Sequence, residues 1–510
     1  MWSQNRISYV LLTALVLTLP GCGNQPLSKK GNPAPAAAIP EKGSSTTRAK
    51  SPDPSSPLPV DPAVASPVEP ARNEASPRLS EPDSPKPSAP QPVFRPADER
   101  PRHDDQKLAT IGIHRYESTR LVLYTDIDPQ VARGLPPVID QAYAALTNYF
   151  GPLPPDRART EYQMTGYLIQ DDAAFREAGL IPEDLPPFEH GRHRRNEFWM
   201  REQKYDYYRR HLLIHEATHC FMTVMPDVDA PVWYMEGMAE YFGTHRLADD
   251  GTVTFCVMPT SPEEFAGSGR ITAIRNECAA GRARSIGWIR DLQPVEFLKT
   301  EHYAWAWGLT MFLDSHPRYQ QRFRELGGFL QRNAFSTQFF RVFNPDARDL
   351  GTEWTLYIQN LQYGYDARQA AIDFKRGTEL TEARSCEIQA DRGWQSSGVL
   401  VKEGDSYEIV ATGRFELAKL PVPWISEPQG ISFRYSEGRP LGMLVVSLRL
   451  ESDEANVPET MVTSEAVGRR LVFRAPSTGT LYLRVNDDWN SLHDNQGQVA
   501  VQISTAARHP

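Results

Sequence analysis

Two histidines and a glutamate near the middle of the chain have the spacing of a metal site. His215 and His219 are four residues apart, so on a helix both imidazoles lie on one face and can bind one ion. Glu236, in the segment 233–240 (WYMEGMAE), can supply a carboxylate from a second helix. Two histidines and one carboxylate leave an open coordination position, as catalytic zinc requires. The pattern therefore predicts a catalytic Zn²⁺ site at these three residues.

Two further glutamates of the same segments have predicted roles beside the metal. Glu216 directly follows the first histidine, so its carboxylate can reach the open position and act as general base toward a zinc-activated water. Glu240 lies one turn after Glu236 and can accept a hydrogen bond from the far nitrogen of His215. A solvent-facing carboxylate is the alternative for Glu240. HExxH also occurs by chance on ordinary helices, but the second motif at the correct distance makes chance far less credible.

HEATH followed by PVWYMEGMAEYF resembles the gluzincin zinc metallopeptidases, especially the peptidase MA-like families. Their pattern of HExxH, a short loop and a Pro-x-Trp-x-x-Glu-Gly-x-Ala-Glu helix is matched position by position. The resemblance implies an α+β, thermolysin-like domain over residues 108–380 that hydrolyses peptide bonds. It also implies that Tyr303, on a downstream helix, steadies the oxyanion. An aromatic core position is the alternative for Tyr303.

Apolar periodicity predicts the elements that position these residues. Their order is strand, helix, strand and a long apolar helix, as expected of the N-terminal lobe of a metallopeptidase, and helices follow the metal motifs. The predicted segments are strand 119–125, a helix from Pro129 to Phe150, strand 161–170, the motif helix 205–225, a second helix from Pro231, and helical stretches 303–313, 319–330 and 354–361.

Other polar residues around the motifs are predicted to stay outside the chemistry. His211, His245 and His302 are interpreted as core or surface histidines, because the coordination shell is complete without them. The basic segment 190–195 (HGRHRR) is interpreted as a solvated loop, and the lining of a cleft is the alternative.

Beyond Cys386, short β-rich runs alternate with Gly, Asp, Asn and Pro, which predicts a separate β-sandwich over residues 386–507. The runs are 399–401, 406–411, 443–450, 471–473, 480–485 and 499–503.

This C-terminal module resembles the calcium-dependent galactophilic lectin family, above all in the polar segment 486–497 (NDDWNSLHDNQG). The resemblance implies a Ca²⁺ site and a glycan bound on the ion, and oxygen-rich loops suit that ion. Without the resemblance, such Asp and Asn clusters indicate ordinary turns. The implied ligands are the side-chain oxygens of Asp487, Ser491, Asp494 and Asn495 and the backbone carbonyl of Leu417.

The N-terminal segment, residues 1–22, predicts export. One basic residue, Arg6, precedes an apolar run that is too short to span a bilayer, as in a signal peptide. Leu19-Pro20-Gly21-Cys22 resembles a bacterial lipobox, which implies a lipid anchor at Cys22 that holds the chain on a membrane. An ordinary signal peptide with an incidental cysteine is the alternative.

Residues 23–107 are dominated by Pro, Ser, Ala and charged side chains. Such a segment buries too little apolar surface to fold, so we predict a disordered linker that holds the folded part away from the membrane. A disordered ligand for a partner is the alternative.

Charge and cysteine content narrow the partners and the compartment. A formal charge of −9 argues against nucleic acid as a partner. Apart from Cys22, the chain has an even number of cysteines in a compartment that permits disulfides. Their pairing stays open: Cys256 and Cys278 are the nearest in sequence, and Cys220 on the apolar motif helix is equally well explained as a buried thiol.

The leading hypothesis is an exported, lipid-anchored zinc metallopeptidase of the cell envelope that acts on proteins or peptides. Its C-terminal β-sandwich is predicted to bring the enzyme to its target surface, for example by binding glycans. The rival is a surface glycan-binding or adhesion lipoprotein in which the peptidase domain is a scaffold. The intact ligand set with Glu216 favours the enzyme. A structural zinc domain fits poorly, because structural sites usually have four protein ligands.

Overall fold

The computed structural model of the chain describes residues 93–330, 334–419, 421–451 and 460–506. Within these ranges the protein is mixed α/β, and its C-terminal region is β-rich. The predicted signal peptide, Cys22 and the predicted linker as far as residue 92 lie outside the described residues.

The described fold extends to the N-terminal side of residue 108, the predicted end of the linker. Helix α1 spans Asp105–Thr110, and the side chain of Arg95 is only 4% exposed. Arg95 pairs with Asp98, and its Nη2 donates to the backbone oxygen of Thr160 at 2.7 Å. Residues 93–107 thus belong to the fold, which corrects the predicted boundary. A buried, fully paired guanidinium attaches this stretch to the domain, although its composition resembles a linker.

The N-terminal region is built around one five-stranded sheet. Its order is β1-β2-β3-β5-β4, in which β2, β3 and β5 are parallel and the two edge strands are antiparallel to their neighbours. The predicted strands 119–125 and 161–170 correspond to β2 and β3. The elements are α1 (Asp105–Thr110), β1 (His114–Glu117), β2 (Leu121–Thr125), α2 (Pro129–Ala132), α3 (Leu135–Phe150), β3 (Met164–Ile169), α4 (Asp172–Glu177), β4 (Gly191–Arg194) and β5 (Glu197–Arg201).

Both faces of this sheet are covered. Strands β2 and β3 are buried along their whole length, as is typical of central parallel strands. On one face Leu168 and Phe198 join the core shared with the helices that follow. On the other face Tyr167 stacks on Trp199 with ring centroids 5.3 Å apart. The sheet is therefore a rigid support for the edge strand β4.

Helices form most of the next region. The predicted motif helix is α5, which ends at Met222 rather than at Met225. The predicted stretch 319–330 is α10 followed by a 3₁₀ turn over Leu326–Phe329. The elements are α5 (Asp206–Met222), α6 (Val232–Gly243), β6 (His245–Leu247), β7 (Val253–Phe255), α7 (Arg270–Ala279), α8 (Ile286–Arg290), α9 (Thr300–Ser315), α10 (Gln320–Glu325), α11 (Phe335–Phe343), α12 (Ala347–Asn360) and α13 (Ala367–Ala370).

Helices α6 and α9 approach each other closely at Gly237. A β-carbon built on this glycine would lie 2.4 Å from Oγ1 of Thr310 and 2.8 Å from the backbone oxygen of Ala306. Because the obstructing carbonyl is backbone, only glycine permits this contact. The glycine of the Glu-Gly-x-Ala-Glu motif therefore sets how deeply its neighbour Glu236 lies in the fold.

The C-terminal region contains a six-stranded sheet and a four-stranded sheet. Their orders are β14-β15-β18-β10-β8, with β16 paired to β15, and β17-β11-β19-β9. Apolar residues of both sheets form one buried cluster, including Val399, Ile409, Leu483 and Val501. The strands are β8 (Thr378–Glu379), β9 (Arg384–Gln389), β10 (Gln395–Val401), β11 (Ser406–Thr412), β12 (Phe415–Glu416), β13 (Ile425–Ser426), β14 (Gln429–Ser436), β15 (Arg439–Leu450), β16 (Glu465–Ala466), β17 (Arg470–Arg474), β18 (Gly479–Val485) and β19 (Gln498–Thr505).

This β-rich region is not separate from the helices, which corrects the predicted independence of the module. Tyr482 and Trp489 belong to the same buried cluster as the helical core, and Trp489 stacks on Tyr365 with ring centroids 6.1 Å apart. Nδ2 of Asn490 donates to the backbone oxygen of Tyr363 at 3.0 Å. The β-rich region cannot stand alone because β18 is buried at every position, so both faces of its sheet must be covered.

The described cysteines Cys220, Cys256, Cys278 and Cys386 are all free thiols. The option of a bond between Cys256 and Cys278 is therefore not realised: the thiol of Cys278 instead faces the backbone oxygen of Ile358 at 3.7 Å. Among the described residues, no helix has the length and apolar character needed to cross a membrane.

Candidate metal centre

The three predicted ligands meet at one buried point between α5 and α6. The Nε2 atoms of His215 and His219 are 3.1 Å apart. Oε2 of Glu236 lies 3.2 Å from Nε2 of His219 and 3.4 Å from Nε2 of His215. All three side chains are buried. Helical spacing places the histidines one turn apart on α5, and the close packing of α6 brings the carboxylate to them.

These separations fit a single tetrahedral cation. Two ligand atoms about 2.1 Å from zinc lie roughly 3.4 Å apart at the tetrahedral angle. Without a metal, the imidazole of His215 and the carboxylate of Glu236 stabilise each other's charged forms. Burial opposes the effect, yet Glu236 and Glu240 raise the pKa of His215 to about 10, and the two histidines lower the pKa of Glu236 to about 2. A cation that binds here must therefore displace a proton from His215.

A second cluster, formed by His211, His215 and Glu240, also has metal-ligand spacing. Arg270 already binds the carboxylate of this cluster. Its Nε and Nη2 donate to Glu240 at 2.7 and 2.8 Å, and both side chains are buried. A cation beside this guanidinium would be repelled at close range. The cluster formed by His215, His219 and Glu236 has no such competitor among the described residues and is the better metal site.

Glu240 supports the site from behind His215. Its Oε1 lies 3.4 Å from Nδ1 of His215, and its Oε2 lies 3.1 Å from Nε2 of His211. Burial would raise the pKa of Glu240, but Arg270 and His211 hold it well below its usual range. The structure thus buries Glu240 as an anion that orients His215 through the nitrogen remote from the metal position. The alternative of a solvent-facing carboxylate does not hold.

Glu216 has the properties of a general base. Its carboxylate is 0% exposed, and neither oxygen has a hydrogen-bond partner among the described residues. Burial raises the pKa of Glu216 to about 7, against the opposing effect of His215 and His219. A carboxylate that is not engaged in hydrogen bonds and titrates near neutrality can both accept and return a proton.

Tyr303 of α9 also lies at this site. Its ring centroid is 6.3 Å from that of His215, and the side chain is buried. Burial raises the pKa of Tyr303, and the neighbouring Glu236, Glu240 and Glu216 add to the rise. The phenol therefore remains protonated and can serve as a hydrogen-bond donor within the site.

The basic segment 190–195, interpreted from the sequence as a solvated loop, forms the edge strand β4 beside the metal centre. The ring of His193 stacks on His219 with centroids 4.7 Å apart, and its Nδ1 lies 3.9 Å from Oε2 of Glu216. The loop interpretation was wrong because this segment pairs with β5 and its Gly191 and His193 contact α5, at Glu216 and His219 respectively. Alternation of small, basic and histidine side chains was the only signal in the sequence, and it is too weak to predict a strand.

The open side of β4 has backbone groups available for pairing. The backbone nitrogen of Arg201 donates to the oxygen of His190 at 2.7 Å. Antiparallel alternation then directs the N–H and C=O groups of Gly191 and His193 away from β5. An extended peptide can pair with these groups next to the metal centre.

A cleft of about 840 Å³ lies along this edge. Side chains from β4, from the loop after α5 and from the start of α6 line it, including Arg192, His193, Val232 and Met235. Its volume is in the range of small-molecule and peptide sites. The metal centre therefore lies beside a cavity large enough to admit a substrate.

The implied calcium ligands of the C-terminal region lie at the end of β18. Asp487 and Asn495 are buried, whereas Ser491 and Asp494 are partly exposed. Leu417 follows Glu416, which pairs with Gln496 in the same loop. Oδ2 of Asp487 and the Oδ1 atoms of Asn486, Asp494 and Asn495 are shielded from solvent and have no hydrogen-bond partner among the described residues.

Ser491 differs from the other implied ligands, because its hydroxyl donates to Oδ1 of Asn490 at 3.1 Å. Asn486 was not predicted as a ligand, and its side-chain nitrogen donates to three backbone oxygens that fix the loop, those of Ser436, Arg439 and Pro440. Burial raises the pKa of Asp487 to about 6, and the neighbouring carboxylates of Asp488 and Asp494 contribute.

No protein family and no curated protein matches this chain in sequence. Among solved structures, the chain is similar to the EclA N-terminal domain, described as a PllA-like lectin. The two are 22% identical, the match covers 24% of this chain and 96% of that chain, and the TM-score is 0.19.

Proposed function

We propose that this protein is a zinc-dependent peptidase with a thermolysin-like catalytic core. The observation that carries the proposal is the convergence of His215, His219 and Glu236 at 3.1 to 3.4 Å. The carboxylate of Glu216, which accepts no hydrogen bond from the described residues, lies beside them. Three protein ligands leave a coordination position open, whereas structural zinc usually has four. The likeness of both motifs to gluzincin metallopeptidases supports the same proposal.

Each residue of the centre has a definite task in this proposal. When bound, zinc supplies a Lewis acid that lowers the pKa of water toward neutrality and polarises a peptide carbonyl. Glu216 accepts the proton of the attacking water and returns it to the leaving amine. Glu240 holds the tautomer and orientation of His215, and Tyr303 donates a hydrogen bond to the charge that develops on the carbonyl oxygen.

The substrate class follows from the edge strand. An extended peptide that adds to β4 pairs with the backbone groups of Gly191 and His193, and this holds its carbonyl groups near Glu216. Main-chain pairing requires an extended polypeptide but not a particular sequence. We therefore propose proteins or unfolded peptides as substrates.

The cellular location rests on the N-terminal sequence alone. The signal segment and the lipobox-like cysteine support a lipid-anchored protein of the bacterial cell envelope. Labelled palmitate that enters the wild type but not a Cys22→Ser variant would support the anchor, and a chain that takes up no label in a lipoprotein-processing host would contradict it.

A second proposal concerns the polar loop after β18, which we propose as a Ca²⁺ site. It rests on four buried oxygen atoms, from Asn486, Asp487, Asp494 and Asn495, for which the described residues supply no hydrogen-bond donor. Buried oxygens are expensive to leave unpaired, and Ca²⁺ binds six to eight oxygens in flexible geometry. Glycan binding at this loop stays a prediction from the sequence.

Casein and quenched-peptide hydrolysis test the peptidase proposal. The wild type should hydrolyse the substrates, lose activity on treatment with a chelator and recover it with zinc. Glu216→Gln should retain zinc and lose activity by about 10²-fold or more. Glu177→Gln, which alters an exposed glutamate at the end of α4, is the matched control and should leave the rate unchanged. Equal activity of the wild type and Glu216→Gln would contradict the proposal.

A further inference from the structure

Arg192, at the centre of the edge strand β4, is a buried cation for which the described residues supply no counter-ion. Its side chain is 6% exposed, and its Nη1 is shielded from solvent and lacks a hydrogen-bond acceptor among the described residues. The other arginines of the segment are paired: Arg194 with Asp184 at 3.2 Å, and Arg195 with Glu99. Arg192 is therefore distinguished from its neighbours by the absence of a carboxylate.

Such a guanidinium is costly to the free protein. Burial of a charge is normally compensated by an opposite charge and a full set of hydrogen bonds. Burial lowers the pKa of Arg192, and Glu216 opposes this effect without forming an ion pair with it in the described part of the chain. A bound carboxylate can supply the missing partner, because its two oxygens match the fork of the guanidinium.

Arg192 also has the right position to meet a substrate. It lines the cleft of about 840 Å³ together with His193, which contacts both His219 and Glu216. Arg290 lines the same cleft, with its guanidinium 3.8 Å above the ring of Phe340. The cleft also contains carboxylates, of which Asp184 is neutralised by Arg194.

The remaining carboxylates of the cleft, Asp227 and Asp229, belong to the loop between α5 and α6, and neither forms an ion pair with Arg192 within the described part of the chain. Asp227 is exposed and Asp229 is half-buried, so water can solvate both carboxylates, whereas the guanidinium of Arg192 is buried.

We propose that Arg192 binds a carboxylate of the substrate, so that the cleft selects peptides with an acidic side chain or a free C-terminus near the cleaved bond. The inference rests on the proposed peptidase function and names its substrate class. An acidic side chain and a free C-terminus both present a carboxylate, and the peptides used in the test distinguish between them.

Equilibrium binding to the full chain tests this directly. The protein carries Glu216→Gln so that bound peptide is not cleaved, and it is measured with zinc and again after chelation. The probes are four rhodamine-labelled decapeptides that differ only in a central Glu or Gln and in a free or amidated C-terminus. Fluorescence anisotropy gives each dissociation constant for this parent protein, for its Arg192→Gln derivative and for an Arg133→Gln control, which alters an exposed arginine after α2 outside the cleft.

The parent and the Arg133→Gln control should bind one carboxylate-bearing peptide about tenfold or more tightly than its neutral counterpart. Tighter binding of the peptides with a central Glu than of those with Gln indicates that Arg192 binds a side-chain carboxylate. Tighter binding of the peptides with a free C-terminus than of the amidated ones indicates that it binds the C-terminal carboxylate. In Arg192→Gln the ratio should fall to about one while zinc content and binding of the neutral peptide persist. Three results would overturn the inference. The parent binds all four peptides equally, it binds none of them, or the preference for a carboxylate is unchanged in Arg192→Gln.

Failure of the peptidase function has a different signature. In that case the wild type hydrolyses none of the four peptides, while the Arg192-dependent preference for a carboxylate remains with and without zinc. Hydrolysis that depends on Glu216 but ignores the carboxylate leaves the peptidase proposal intact and removes only the substrate preference.

Discussion

The carboxylate of Glu216 lies directly against Gly191 of the edge strand. A β-carbon built on Gly191 would be 2.4 Å from Oε1 and 2.9 Å from Cδ of Glu216. Backbone hydrogen bonds to β5 hold the strand, so the side chain of Glu216 would have to move. The absence of a side chain at Gly191 thus allows the proposed base to occupy its position.

Gly191→Ala should impair catalysis without removing the metal. The displaced carboxylate of Glu216 no longer faces the attacking water, so we expect kcat to fall by about tenfold or more, while zinc content stays unchanged. Gly351→Ala, at a helical glycine with nothing within 4 Å of the new β-carbon, is the control and should retain full kcat. Loss of zinc from Gly191→Ala would show that the strand positions the ligands instead.

Gly237→Ala should destabilise the fold. The new β-carbon would clash with the backbone oxygen of Ala306 at 2.8 Å, which cannot rotate away, so α6 must move from α9 at a cost of about 1–3 kcal/mol. Thermal unfolding measures the change. Gly351→Ala should raise stability by up to ~1 kcal/mol, because alanine favours the helix where space is free. Similar melting temperatures for the two variants would refute the close contact.

Glu240→Gln should weaken zinc binding and lower stability together. It removes the anion that orients His215, which lowers zinc affinity by about 10–100-fold, and it leaves the buried Arg270 without its counter-charge, at about 3 kcal/mol. Chelator competition and thermal unfolding measure the two effects. Arg270→Met is the informative comparison: it should lose stability but retain zinc affinity, because Glu240 still contacts His215. Equal zinc affinity in Glu240→Gln and the wild type would exclude the supporting role.

The stability of the protein should depend on pH and Ca²⁺ through Asp487. Its pKa is raised from 3.8 to about 6 in the folded state, so between these values the folded chain holds a proton that the unfolded chain has lost. Unfolding free energy therefore falls as pH rises through this window, and the loss persists above it. Ca²⁺ should restore stability above pH 6, since it neutralises the carboxylate.

Asp487→Asn is the control for this effect, because an amide does not titrate. Its melting temperature should fall less between pH 4 and 6 than that of the wild type, because only other groups with a raised pKa, such as Glu216, still contribute, and it should not respond to millimolar Ca²⁺. A Ca²⁺ response that survives in Asp487→Asn would place the ion elsewhere.

Local periodicity was sufficient to predict the parts of the site that lie on single helices. The spacing of His215 and His219 determines one helical face, and the motif around Glu236 determines the second helix. The contribution of β4 could not be predicted in this way. Gly191 and His193 reach the site because β4 is an edge strand that pairs with β5, and this pairing is a tertiary property that composition does not encode.

The predicted domain boundaries were wrong for a related reason. Residues 93–107 have the composition of a linker but are held by the buried Arg95 and its partners, and the β-rich region was predicted to stand alone although Trp489 stacks on Tyr365. In both cases a few long-range contacts decide the outcome, and apolar content averaged over a window does not detect them.

Metal analysis of the purified, dialysed protein tests the central claim most directly. Zinc should be present at one ion per chain in the wild type and in Glu216→Gln, and it should be absent from His219→Ala and strongly reduced in Glu236→Gln, because these variants remove a ligand. A wild type that binds no zinc, or a His219→Ala protein that retains it in full, would contradict the proposal that these three side chains form a catalytic metal centre.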